Sequence, residues 1–192
     1  MFNIISPEQF KTVPWKNGLG NTAELAISKG GSMSDFSWRV SIADMVEDGI
    51  FSNFSGYQRH LVMIAGNGLD LSHQFDDKNQ TDCLRSMADV ASFDGACITE
   101  GVLLAGAVKN FNVMVKNQEC TASVRTYPDH QRIILPVATH CFVYCLEGIA
   151  KIDGLLDGQT IHLNAGHLLH IENHTHNEII ALGRQMILIE IN

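Results

Sequence analysis

The chain has 192 residues, 45% hydrophobic and 18% charged, a globular composition with enough length for a real core. Its formal net charge of −8 argues against a nucleic-acid backbone or an anionic membrane surface as partner, since both demand a basic face. Net charge says nothing about the inside of a cleft, so a local basic pocket for an acidic small molecule is compatible with it. The opening residues, Met1-Phe2-Asn3-Ile4-Ile5-Ser6-Pro7-Glu8, lack the basic segment and apolar run of a secretory signal. No stretch reaches the roughly 18 apolar residues of a membrane span. A cytoplasmic protein is expected. The five cysteines, Cys83, Cys97, Cys120, Cys141 and Cys145, form no Cys-x-x-Cys pair, and their odd number favours reduced thiols. Cys141 and Cys145, four apart on an apolar run, read as core packing.

In chain order, Ser6-Pro7-Glu8-Gln9 predicts a short helix, with Ser6 as N-cap, Pro7 at the first position and Gln9 closing a capping box. Pro14 ends it. Beyond that the pattern is almost all strand. Short apolar or alternating runs fall at 24–28, 36–43, 60–64, 68–72, 102–107, 110–116, 141–146, 150–153, 160–163, 167–172 and 186–191, separated by Gly, Asn and Asp clusters. The segment 84–89 is too short to assign. An apolar strand ending in glycine occurs at 59–66 and again 82 residues later at 141–148. Two such halves, 1–116 and 117–192, suggest two β-barrels fused in one compact unit of 1–192, and a closed barrel can hold a ligand inside.

The densest polar signal is Trp15-Lys16-Asn17-Gly18-Leu19-Gly20-Asn21-Thr22-Ala23-Glu24, which joins an aromatic, a cation, an amide, two glycines and a carboxylate. Core packing explains it poorly. Lys16 and Asn17 are either turn residues or donors to an acidic ligand. Glu24 is either an ion-pair partner for Lys16 or Arg39, or a base with a raised pKa. In 36–43, alternation puts Trp38, Val40 and Ile42 on one face and Ser37, Arg39 and Ser41 on the other. Arg39 then faces solvent, enters a ligand cavity or joins a buried ion pair. Arg59 opens the apolar strand 61–64. It is either a bidentate partner for a carboxylate or formyl group, or half of a structural pair with Asp or Glu. Asn112 and Met114 share a face and fit a pocket wall or a mixed strand.

These segments, with Gly49-Ile50-Phe51-Ser52-Asn53-Phe54-Ser55-Gly56-Tyr57-Gln58-Arg59, resemble the HutD/Ves family of bacterial proteins from Trp15 to about Met114. The Trp-Arg-x-Ser at 38–41 and the Phe-Asn-x-Met at 111–114 are among its marks. The family's usual basic pair after the latter is here Lys116-Asn117, so one charge is missing. The resemblance raises the pocket reading of Arg39. Members are linked to histidine utilisation or stress response. It implies a small-molecule binder that senses or buffers an acidic, formyl- or formimino-type metabolite. Lys16, Asn17, Arg39 and Arg59 would bind its carboxylate, Trp15 and Phe51 would wall it, and Ser41 and Asn112 would orient it.

The C-terminal half also resembles the second cupin motif at Gly158, Gly166 and Asn173, but Asn164 stands for its proline and Leu169 for its metal-binding histidine. The carboxylate position of the first motif is Arg59 in one half and Cys141 in the other. The resemblance thus implies an all-β bicupin without a metal or other cofactor, and allows a homodimer through a strand edge. Five of the nine histidines lie between His162 and His176. Alternation puts His167 and Ile171 on the Leu169 face and turns His170 outward, while His174-Thr175-His176 reads as a turn; loop and surface histidines are expected, not a metal site. The rival to a binder is a metal-free isomerase or hydrolase using Glu24 with His60 or Tyr57. A third reading gives the polar motif a purely structural role.

Overall fold

The computed structural model describes residues 1–14, 21–156, 158–175 and 178–192, and nearly all its regular structure is antiparallel strand. The expected segment Trp15, Lys16 and Asn17 lies outside the described residues, as does His176. Strand β1 is Phe2–Ile5. The N-terminal strands that follow are β2 (Lys11–Pro14), β3 (Asn21–Ile27), β4 (Trp38–Met45), β5 (Gly49–Ile50), β6 (Tyr57–Ala65), β7 (Leu69–Phe75), β8 (Lys78–Leu84), β9 (Val90–Asp94), β10 (Ile98–Leu103) and β11 (Val108–Lys116). The C-terminal strands are β12 (Ala122–Tyr127), β13 (Gln131–Ile134), β14 (Ala138–Cys145), β15 (Ile149–Leu156), β16 (Gln159–Asn164), β17 (Leu168–His174), β18 (Ile180–Gly183) and β19 (Met186–Ile191).

The chain divides into two units, Lys11–Cys120 and Met1–Phe10 with Thr121–Asn192. In the first, a six-stranded sheet runs β2-β3-β4-β11-β6-β9 and a four-stranded sheet runs β5-β10-β7-β8. In the second, the sheets run β1-β17-β14-β19-β12 and β13-β18-β15-β16. Each strand from β4 to β11 has a counterpart eight places later with the corresponding neighbours: β4-β11-β6-β9 matches β12-β19-β14-β17, and β5-β10-β7-β8 matches β13-β18-β15-β16. The repeated apolar run noticed in the sequence corresponds to the pair β6 and β14. In each unit both sheets contribute side chains to one apolar layer. Leu61, Met63, Leu69 and Leu71 belong to it in the first, and Cys141, Val143, Ile152 and Leu188 in the second.

Two sequence expectations differ from the structure. The predicted helix is a single turn of 3-10 helix, Pro7–Gln9. The Ser6 N–H does donate to Gln9 Oε1 at 2.9 Å. Phe10 then turns extended and Lys11–Pro14 pairs with Asn21–Ile27, so strand pairing wins over a helix too short to be stable alone. The strand placed at 102–107 is Ile98–Leu103 instead, because Glu100 and Gly101 in its middle break the apolar pattern by which it was read. Edge strands such as β8, with the polar sequence Lys-Asn-Gln-Thr-Asp-Cys-Leu, carry no alternation to find. The placement of β1 is also not signalled: it pairs with β17, far along the chain, through Phe2↔Ile171 and Ile4↔Leu169. Among the described residues no helix is long and apolar enough to cross a membrane. All five cysteines are free, and Cys141 and Cys145 lie in the apolar layer, where burial pushes the Cys141 thiol up to about 12.

Candidate functional site

Cross-strand register collects the expected site residues on the inner face of the six-stranded sheet. Asn112 of β11 stands opposite Ser41 of β4, and Ser41 opposite Glu24 of β3. One pleat along, Met114 lies between Arg39 of β4 and Arg59 of β6, and Arg59 is opposite Phe93 of β9. Two strand spacings put the Arg39 and Arg59 backbones about 10 Å apart. The alternation predicted for 36–43 holds: Trp38 and Val40 take the other face.

The side chains are buried. Arg39 is 4% exposed, Ser41 3%, Arg59 7% and Asn112 7%. Arg39 donates through Nε to Glu24 Oε2 at 2.8 Å, so of the three readings open for Arg39 the solvent one fails and the buried ion pair is present. Its Nη2 is buried with no hydrogen-bond partner. A cavity role for that second nitrogen therefore stays compatible with the ion pair.

Arg59 differs. No carboxylate among the described residues pairs with it, against the alternative of a structural Asp or Glu partner. Nη1 donates to the Ser52 carbonyl at 3.3 Å, and Nε is buried without a partner. Three rings surround the guanidinium: Phe51, Phe54 and Phe93 have centroids 5.2, 5.7 and 5.1 Å from Cζ. Cation–π attraction supplies part of the lost hydration. Burial alone pushes the Arg59 pKa down to about 10, which leaves the group charged at neutral pH. The Phe51 ring has room because residue 101 is glycine; a Cβ there would sit 2.8 Å from the Phe51 ring and 2.7 Å from the Met45 methyl.

Two acceptors complete the inner face. The Oδ1 atoms of Asn110 and Asn112 are buried and unpartnered, and Asn112 Nδ2 reaches only the Asn110 carbonyl at 3.4 Å. Met114, on the same face, packs with Phe36 and Tyr57 in a small apolar cluster. The site thus presents orphaned guanidinium donors and orphaned amide acceptors on one face.

Sequence reasoning missed His73. It stands on β7 in the opposing sheet, 4% exposed, with Nδ1 2.9 Å from Thr99 Oγ1 and Nε2 3.2 Å from Asp82 Oδ2. Its ring lies 4.3 Å from Phe93, the same ring that contacts Arg59. Burial lowers its pKa and outweighs the opposing pull of Asp82. The alternation of 69–75, with His73 in phase with Leu69 and Leu71, was the signal available. The acid–base pairs expected for an enzyme are not assembled. Glu24 is held by Arg39. His60 stands opposite Val113, on the other face of the sheet, and its Nδ1 is 2.8 Å from Ser92 Oγ. The Tyr57 hydroxyl accepts the Phe36 N–H at 3.3 Å.

In the C-terminal unit the inner positions Cys141 and Leu169 are 0% exposed within the apolar layer, so the cupin metal positions hold hydrocarbon and thiol. His170 faces away from that layer, as alternation predicts. His174 is not in a turn: it ends β17 and is buried. On the outer face, His140 Nδ1 is 3.0 Å from His170 Nε2. One ligand atom from each of His140, His170 and Glu172 lies within 4.8 Å of the others. Burial lowers both imidazole pKa values, that of His170 to about 4.

Two antiparallel sheets facing across one interior, repeated in the chain, define a cupin-like β protein. Oxalate decarboxylase from Lactobacillus farciminis shares this fold at 10% identity, with a TM-score of 0.64 over 98% of this chain and 85% of that one. The HutD family model matches residues 7–189, and the chain belongs to this HutD/Ves family. An uncharacterised 21.2 kDa protein in the hutC 3′ region of Pseudomonas putida is 32% identical over 136 residues, 71% of this chain and 70% of that protein. Protein Ves of Escherichia fergusonii is 32% identical over 112 residues, 58% of this chain and 56% of Ves. Among solved structures, HutD from Pseudomonas fluorescens SBW25 in a formate condition is 25% identical, with a TM-score of 0.83 over 100% of this chain and 98% of that one. A conserved protein of unknown function from Pseudomonas aeruginosa PAO1 is 28% identical, with a TM-score of 0.85 over 100% and 99%.

Proposed function

We propose that this chain is a bicupin whose N-terminal unit binds a small carboxylate metabolite of histidine breakdown, inside the sheet pair that holds Arg39, Arg59 and Asn112. The carrying observation is Arg59: a guanidinium 7% exposed, with an orphaned Nε and no anionic partner among the described residues. Leaving such a charge buried and unpaired costs several kcal/mol, which a bound carboxylate would offset through charge-assisted hydrogen bonds. Arg39 Nη2 offers a further donor. Asn110 and Asn112 offer acceptors for an N–H on the same ligand, which suits a formimino or imidazole group joined to a carboxylate. The matching strand order of the two units supports the bicupin reading. The associations of the relatives, a hutC-region protein and a HutD structure in a formate condition, support the metabolite class.

Thermal denaturation with millimolar urocanate, formiminoglutamate, formylglutamate, glutamate and formate tests this. A ligand at about 100 times its Kd adds about 2.7 kcal/mol, a rise of several degrees for a chain of this size. The rise should vanish in Arg59→Met. No rise with any of the five, or an equal rise in Arg59→Met, contradicts the reading. One observation favours the rival, a metal-free enzyme: His73, held between Thr99 and Asp82, lies in the same interior. Turnover of any of these compounds, lost in His73→Gln, would choose it.

A further inference from the structure

We infer that His140, His170 and Glu172 form a binding site for one divalent transition-metal ion on the outer face of the C-terminal unit's five-stranded sheet. The site lies on the face of that sheet turned away from the unit's own apolar layer.

Its geometry follows from register. His140 of β14 stands directly opposite Glu172 of β17, and His170 is opposite Phe142. His170-x-Glu172 puts both of those side chains on one side of β17, and the inward positions Leu169 and Ile171 fix that side as the outer one. The Phe142 ring stacks on His170 at 4.1 Å and 11°, which fixes the plane of the imidazole. Nδ1 of His140 and Nε2 of His170 are 3.0 Å apart, and the three ligand atoms fall within 4.8 Å of one another. Two nitrogens each about 2.0–2.1 Å from a tetrahedral ion are separated by about 3.3 Å, so an ion replaces the proton shared by the rings with a small outward shift.

Glu172 distinguishes this from a plain pair of hydrogen-bonded histidines. Such a pair needs no carboxylate beside it. The Glu172 carboxylate is half-buried and has no Lys or Arg partner among the described residues. A divalent ion there would be held by the carboxylate's charge and the two imidazole nitrogens. Glu172 also borders a groove of about 290 Å³ with Met1, Phe2, His174 and Thr175, which neither histidine lines. Two imidazoles and one carboxylate suit zinc, cobalt or nickel and leave a fourth position for water or a substrate atom. Calcium and magnesium, which prefer all-oxygen shells, are a poor match.

The test is calorimetric titration of the chelator-treated full chain with zinc chloride, with cobalt(II) absorption as a second readout. One zinc ion per chain is expected, with a visible cobalt spectrum typical of low coordination and no heat from magnesium. Glu172→Gln, which keeps the side chain's size, and His140→Ala should each weaken zinc binding at least about tenfold. His162→Ala, at an exposed position on β16, should leave it unchanged. Melting in chelator shows whether each variant is folded, and Glu172→Gln carries the test if His140→Ala is not. Absence of zinc binding, or binding that folded Glu172→Gln and His170→Ala retain in full, overturns the inference.

Discussion

The two units share a strand order but fill their interiors differently. Among the described residues, Ser28, Arg39, Ser41, Arg59, His73, Thr99, Asn110 and Asn112 are all buried in the Lys11–Cys120 unit, while the other unit buries one polar side chain, His174. At the position where β6 carries Arg59, β14 carries Cys141, which packs with Val143, Leu169 and Ile171. The C-terminal interior is satisfied mostly by hydrophobic burial, with Glu190, opposite Cys141, held in an ion pair with Arg125. The other holds charge and orphaned hydrogen-bonding groups that its own side chains do not neutralise. Groups left unsatisfied in this way are costly, and eight buried polar side chains in one unit against one in the other is the contrast that the proposed binding interior would explain.

Exchange of the two positions breaks the comparison most sharply. Cys141→Arg would force a guanidinium among Val143, Leu169 and Ile171, beside a Glu190 carboxylate already paired with Arg125, and should destabilise by about 4 kcal/mol through overpacking and buried charge, enough to abolish a cooperative urea transition. The reverse change, Arg59→Met, should leave the ligand-free protein as stable or more stable while removing its response to carboxylates, because an apolar side chain of similar length suits the three phenylalanines. Guanidine denaturation with and without urocanate measures both halves of that statement.

Glu24→Gln comes next. It leaves Arg39 buried beside a neutral amide and should cost about 3 kcal/mol, whereas the double change Glu24→Leu with Arg39→Met should cost markedly less. A double-mutant cycle in urea gives the coupling.

The smallest effect is on pH. Burial lowers the pKa values of His60 and His73 in one unit and His140 and His170 in the other, that of His170 to about 4. Below about pH 6.5 the unfolded chain takes up protons that the native state refuses. The unfolded state binds more protons, so stability falls as pH drops from 6.5 toward 4. The loss should be on the order of 2 kcal/mol, discounted for partial exposure. Urea midpoints at pH 7.5 and 5 measure it, and His73→Gln should flatten only the part that belongs to the polar interior.

Much of this contrast could be read before any coordinates. Period-2 alternation put Arg39 and Ser41 opposite Trp38, turned His170 away from Leu169, and set Asn112 with Met114. Counting from the glycines placed Arg59 and Cys141 at one and the same position of the two halves, which is where the interiors diverge most. Partners were not legible, because they depend on register between strands far apart in sequence. Glu24 could have paired with Lys16 or Arg39, and only the β3–β4 pairing decides for Arg39. His73 shares the phase of Leu69 and Leu71, but its partners were not legible, because Thr99 and Asp82 come from two other strands. His140 and Glu172 are 32 residues apart and meet only through the β14–β17 ladder. The short polar edge strands escaped because half-exposed strands with few apolar residues carry no periodic signal.

The most direct test of the account is a crystal structure of the protein grown with urocanate or formate. The account predicts a carboxylate on the inner face of the β3-β4-β11-β6 sheet, with an oxygen about 2.8 Å from an Arg59 nitrogen and a second contact from Arg39 Nη2. A ligand bound elsewhere, with Arg59 still enclosed only by its three phenylalanines and the Ser52 carbonyl, would contradict it.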